Sequence, residues 1–236
     1  MSKVVEEFNL YGKNYRFETG ELAKQATGAV LVTQNDTTIL VTAVVSKDQK
    51  DYDFFPLSVD FIEKMYAAGK IPGAYLKREA KPSEKGTLTA RMIDRPIRTG
   101  FPEDFKQEVH VVANTFVCDQ INPPDVICIA VASAALMAGG APFEGPAAGV
   151  RIGRDRETGE FIVNPTYEEM EASDLELTLA GTKDFISMVE AGADEISEED
   201  MLEAMNFGHE VIKEFCERQQ AFLDKLAIDK LPYEPH

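Results

Sequence analysis

The stretch from Gly28 to Ser46 reads Gly-Ala-Val-Leu-Val-Thr-Gln-Asn-Asp-Thr-Thr-Ile-Leu-Val-Thr-Ala-Val-Val-Ser, two β-branched runs about the polar triplet Gln34-Asn35-Asp36. Partial alternation and a turn between them predict two strands, over 28–33 and 37–46. Working upstream, 4–10 and 14–18 flank the turn-like Tyr11-Gly12-Lys13 and predict a second pair. Downstream, 53–61 and 108–117 predict two further strands. Pro124 to Met137 is apolar and Ala-rich, so it predicts a buried helix with Pro124 in its first turn and Gly139-Gly140-Ala141-Pro142 as its stop. A second run follows, with strands over 149–153, 160–163, 174–181 and 185–190. Ser197-Glu-Glu-Asp200 resembles a capping box that opens a long helix to about Ile228. Strands then helix, repeated, predict an α+β fold of two similar lobes, 1–145 and 146–236.

Composition narrows the function. The 236 residues are 44% hydrophobic, enough for a sizeable core. The net charge of −17 excludes a uniformly basic binder. No apolar run approaches the ~20 residues of a membrane span, and the N-terminus lacks a signal-peptide pattern. Cys118, Cys128 and Cys216 form neither a disulfide framework nor a zinc motif, so buried thiols in a reducing cytoplasm are expected. His110, His209 and His236 are scattered, without the convergence that a ligand set or catalytic base needs. There is no Walker A sequence and no Gly-x-Ser-x-Gly elbow.

The charge is uneven. Residues 166–236 carry 5 basic and 19 acidic side chains, whereas 64–102 carry 9 basic and 3 acidic. In that basic window, Arg91, Arg95 and Arg98 are spaced by 4 and 3 and fall on one stripe of a predicted helix, with Leu88, Met92 and Ile93 turned to the core. Pro96 removes one helix hydrogen bond and predicts Arg98 just past the end. Three guanidiniums on a stripe repel unless they share an anion, and arginine forks suit phosphate. Salt bridging to Asp94 and Glu84 is the competing reading. Ahead of the helix, the Gly- and Pro-bounded loop from Gly69 to Pro82 presents Tyr75 and Leu76 and then Lys77, Arg78 and Lys81. A ring for stacking beside cations for a backbone is the chemistry of single-stranded nucleic-acid binding. Arg151, in a Gly-flanked strand, faces either a cleft or solvent.

Several segments resemble one family. Asp53-Phe-Phe-Pro-Leu57, Tyr66-Ala-Ala-Gly-Lys-Ile-Pro-Gly73, Lys77-Arg-Glu-Ala-Lys-Pro-Ser-Glu84, Ala90-Arg-Met-Ile-Asp-Arg-Pro-Ile-Arg98, Ala132-Ser-Ala-Ala-Leu136 and Phe207-Gly-His-Glu210 are similar to the first RNase PH-like core of the bacterial polynucleotide phosphorylases, or polyribonucleotide nucleotidyltransferases. The resemblance implies a two-lobed RNase PH-like (ribosomal protein S5 domain 2-like) fold. It implies a 3′-to-5′ phosphorolytic exoribonuclease in mRNA degradation, in which inorganic phosphate releases nucleoside diphosphates from RNA. It also implies a homotrimeric, cytoplasmic enzyme with degradosome components among its partners. The family's helical linker, second core, and KH and S1 domains are not found in this sequence, so it reads as a single-core piece.

The resemblance places Tyr75, Leu76, Lys77, Arg78 and Lys81 on single-stranded RNA, with one ring of the family's aromatic pair replaced by Leu76. It places Arg91, Arg95, Arg98 and Arg151 near substrate phosphates. Where the family's active core has a serine run, this chain has Asn122-Pro-Pro-Asp125, and where that core has Asp-x-Asp-x-Lys, it has Asp174-Leu-Glu-Leu-Thr178. Both changes predict a catalytically silent core, with no catalytic or metal residue of its own and magnesium held by the second core. A non-catalytic RNA-binding ring subunit of exosome type is the alternative, and a small-molecule phosphate enzyme a third.

Overall fold

The computed structural model describes residues 3–49, 52–73, 79 and 81–233. Strands β1 (Val4–Leu10), β2 (Lys13–Thr19), β3 (Gly28–Gln34), β4 (Thr37–Gln49), β5 (Leu57–Ile62) and β6 (Gln107–Val117) form one sheet, in the order β1-β2-β3-β4-β6-β5. All neighbours pair antiparallel except β5 with β6. Strands β7 (Ala148–Asp155), β8 (Phe161–Val163), β9 (Ser173–Gly181) and β10 (Ile186–Ala193) form a second sheet, in the order β10-β9-β7-β8. The helices are α1 (Glu84–Arg98), α2 (Ile127–Ala138), α3 (Tyr167–Ala172) and α4 (Glu198–Leu223), with a short 3-10 turn over Met65–Ala68.

Alternation in the sequence becomes sidedness in the first sheet. Val30, Val32, Ile39, Val41, Val109 and Val111 are fully buried on one face, while Leu31, Leu40 and Val112 lie on the other and are only partly covered. The helix α2 is apolar on every side and buried almost throughout, because it packs on both sheets and on α1 and α4. At one point the approach is so close that only glycine fits. A Cβ on Gly28 would lie 1.9 Å from the Ala135 carbonyl oxygen and 2.9 Å from the Gly139 nitrogen. Gly28→Ala is expected to cost about 1–3 kcal/mol, because backbone rather than a pliable side chain must move. Urea unfolding reads this directly, and an unmoved midpoint would mean that the two elements are not in contact.

Several boundaries differ from expectation for local reasons. The helix α2 begins three residues after Pro124, because the Asp125 carboxylate accepts the Val126 N–H at 2.8 Å and a partner from the second sheet. The strand β5 begins at Leu57 rather than Asp53, after Pro56, which has no N–H for a ladder. The helix α4 ends at Leu223, and Ser197 caps it by accepting the Asp200 N–H at 3.1 Å. Cys128 and Cys216 are buried as expected, but Cys118 is only partly so. Among the described residues, no helix is long and apolar enough to cross a membrane.

Candidate functional site

The helix α1 lies where the two sheets meet, against β5 and α2 of one lobe and β10 of the other. Its N-cap Ser83 accepts the Gly86 N–H at 2.9 Å, and Met92, Ile93, Pro96 and Ile97 bury its inner face. Its outer face lines a cleft of about 420 Å³ with Lys85, Leu88, Arg91 and Arg95. Asp125, Arg151 and Glu190 close the other side. Leu88 was expected in the core, but it is 56% exposed and lines this cleft. The 3.6-residue period puts position 88 on the stripe of 85, 91 and 95, away from Ile93 and Ile97.

The four predicted arginines do not act alike. Arg91 is exposed and has no ion pair among the described residues. Arg95 reaches Glu190 at 3.6 Å with both side chains more than half exposed, which is a loose pair. Arg98 leaves the stripe. It is the last residue of α1 rather than beyond it, its Nη2 donates to Asp94 at 2.7 Å, and its Nη1 donates to the Phe55 carbonyl at 2.9 Å. Its guanidinium also lies 5.5 Å from the Phe55 ring. The competing salt-bridge reading therefore describes Arg98, which does not line the cleft.

Arg151 does face the cleft, but its charge is already matched. Its Nη2 and Nη1 donate to the two oxygens of Asp125 at 3.0 and 3.3 Å, and its Nε lies 3.2 Å from Glu176. The Arg151 and Asp125 side chains are only 12% and 8% exposed. Burial works against the cation, but the Asp125 and Glu176 charges outweigh it and hold the Arg151 pKa above its ordinary value. The backbone fixes this fork. The Arg151 N–H donates to Asn164 Oδ1 at 2.9 Å, and the Asn164 N–H returns to the Arg151 carbonyl at 2.7 Å. The nearest carboxylates, Asp125 and Glu176, are thus both engaged by one arginine, a set that does not fit a divalent ion.

Of the loop residues, Tyr75, Leu76, Lys77 and Arg78 lie outside the described residues. Lys81 is exposed on the approach to α1. Glu79 accepts the Met65 N–H, and its own carbonyl accepts Lys64 Nζ at 2.8 Å, which ties one end of the loop to the 3-10 turn. His110 pairs with Asp60 at 2.8 Å on the open face of the first sheet, whereas His209 meets the Thr182 carbonyl. A larger hollow of about 770 Å³ lies between Val4, Val45, Ala138 and Leu231, and its charged lining residues are Lys47, Lys225 and Asp229.

Residues 12–142 match the family model for domain 1 of the 3′ exoribonuclease family, RNase PH, and residues 145–211 match domain 2. The chain belongs to the 3′ exoribonuclease family. Among curated relatives, it is 51% identical over 223 residues to the polyribonucleotide nucleotidyltransferase of Listeria welshimeri, covering 94% of this chain and 31% of that one. It is 50% identical to the enzyme of that name from Geobacillus kaustophilus, covering 99% and 32%. The chain therefore spans about a third of these relatives' length. The expected RNase PH-like fold is also seen in the crystal structure of rice Rrp46, at a TM-score of 0.63 and 16% identity, covering 94% of this chain and 93% of that one.

One cleft residue of this 3′ exoribonuclease family member, Lys85, and its hydrogen-bond partner Tyr167 escaped the sequence reading. Lys85 was only one of the cations in the basic window. Tyr167 opens α3, a helix that was not expected. Its signal was present in Thr166-Tyr-Glu-Glu169, a reciprocal capping box in the structure, where the Thr166 hydroxyl accepts the Glu169 N–H at 3.2 Å and the Glu169 carboxylate accepts the Thr166 N–H at 2.7 Å.

Proposed function

We propose that this chain is the first core of a phosphorolytic 3′-to-5′ exoribonuclease, and that its cleft guides RNA without cutting it. In the whole enzyme, inorganic phosphate attacks the terminal phosphodiester and releases a nucleoside diphosphate, the chemistry of mRNA degradation. The observation that carries the guiding role is the stripe of Lys85, Arg91 and Arg95 on one wall of an open cleft, where among the described residues only Arg95 is in an ion pair, a loose one. Such cations attract a phosphate backbone without reading its sequence. Tyr75, Leu76, Lys77, Arg78 and Lys81 are assigned to the same RNA.

Silence follows from the inner end of the cleft. There Arg151 is matched by Asp125 and Glu176, and Pro123 and Pro124, which precede Asp125 in the sequence, offer no N–H. Magnesium, which neutralises charge in phosphoryl transfer, is assigned to a second core beyond this chain. The two lobes, divided near residue 145, serve also as a wall of a trimeric ring. The identity of about 50% to polyribonucleotide nucleotidyltransferases favours this reading over an exosome-type subunit.

The test is direct. The purified chain is incubated with end-labelled single-stranded RNA, inorganic phosphate and magnesium. It is expected to bind the RNA and to release no nucleoside diphosphate. Processive shortening that depends on phosphate would overturn the silent assignment.

A further inference from the structure

We infer that Lys85 is a phosphate ligand of this RNA path, and that Tyr167 is the positioning residue that aims it; the inference rests on the reading of the cleft as an RNA interface. The cleft's cations fall into two groups, those already matched by an internal carboxylate and those that are not. Arg151 is in the first group, with Asp125 and Glu176. Lys85 is in the second, since no carboxylate lies within ion-pair distance of it among the described residues.

Lys85 is nevertheless held in place. Its Nζ donates to the Tyr167 hydroxyl at 3.0 Å and stands 5.3 Å from the centre of the Tyr167 ring. A phenol hydroxyl orients an ammonium without cancelling its charge. One of three N–H donors is used, so two remain for an incoming oxyanion. Partial desolvation works against the charged form. The hydrogen bond to Tyr167, with the more distant Asp125 and Glu63, outweighs it and raises the Lys85 pKa. The ammonium is therefore fully charged at neutral pH.

Tyr167 is itself fixed. It begins α3 behind the Thr166 capping box, and its N–H donates to the Ile121 carbonyl at 3.1 Å. The second lobe thus sets the direction of a cation carried by the first. Position matters as well as charge. Lys85 stands in the first turn of α1 and Arg95 in the last, about 15 Å apart along the axis at 1.5 Å per residue. Arg91 lies between them and Leu88 supplies an apolar floor. That length lets the stripe meet more than one phosphate of an extended strand, with Lys85 at the end nearest the loop.

The experiment uses the full 236-residue chain and a fluorescent single-stranded oligoadenylate as probe, with affinity measured over a range of salt. Lys85→Ala is expected to weaken binding about 3–10-fold and to flatten the salt dependence by about 0.7 in the log–log slope, the contribution of one phosphate contact. Lys85→Arg should restore the slope. Tyr167→Phe keeps the ring and loses the hydroxyl. It should weaken binding about 2-fold in the parent and not at all on top of Lys85→Ala, and it should lower the Lys85 pKa read by ammonium NMR. A purely structural tyrosine would act equally in both backgrounds. Unchanged affinity and slope for Lys85→Ala, alongside a clear loss for Arg91→Ala with Arg95→Ala, would overturn the inference and leave the cleft reading intact. No change in any of these variants would overturn both.

Discussion

Asp125→Ala is expected to destabilise the chain by about 2–4 kcal/mol, the largest stability effect of any single substitution at the cleft. The Asp125 and Arg151 side chains are nearly buried, and their two-point contact is the main compensation that each charge has. Removing the carboxylate leaves a nearly buried guanidinium without its main partner. It also frees the Val126 N–H that the carboxylate had accepted. The remaining contact to Glu176 softens the loss only in part, because that side chain is 54% exposed and holds only the Nε side of the fork. This places the value below that of a fully buried pair.

The arithmetic can be separated. Asp125→Asn keeps shape and an acceptor and should cost less. Asp125→Leu combined with Arg151→Met removes both charges, and it should recover much of the loss, since matched burial of ions contributes little net stability. Urea unfolding with an unchanged m-value reads each step. A midpoint for Asp125→Ala equal to that of the parent would show that the pair is not desolvated, and the account of a pre-empted Arg151 would fall with it.

The sheet strands were legible because alternation is local. Val30, Val32, Ile39 and Val41 carry their own instructions for which side is buried. The helix of the basic window was legible for the same reason. The fate of Arg98 was not, because the carbonyls of Phe55 and Leu57 that capture it stand about forty positions away in sequence. Nor was the pairing of Asp125 with Arg151 across two lobes, although Asp125 was read as hostile to phosphate. Short α3 lacked apolar periodicity, and only its cap announced it. Tyr167 and the use of Lys85 were missed together, since each becomes visible only when α3 and α1 are brought side by side.

The second large effect is on binding. Arg91→Ala combined with Arg95→Ala should reduce affinity for single-stranded RNA by more than about 10-fold at low salt. Folding should be nearly unaffected. Both side chains are exposed, and the Arg95 contact to Glu190 at 3.6 Å is a weak surface pair. Arg98→Ala is the internal contrast. That guanidinium is tied to Asp94 and two backbone carbonyls, so its loss should lower stability modestly and leave RNA affinity unchanged.

The salt dependence of RNA binding by the parent chain and the Arg91→Ala, Arg95→Ala variant, measured side by side with one oligoadenylate, tests the cleft most directly. The expected log–log slope is shallower by about 1.4 in the variant, two phosphate contacts at about 0.7 each. Parallel lines at equal affinity would contradict it.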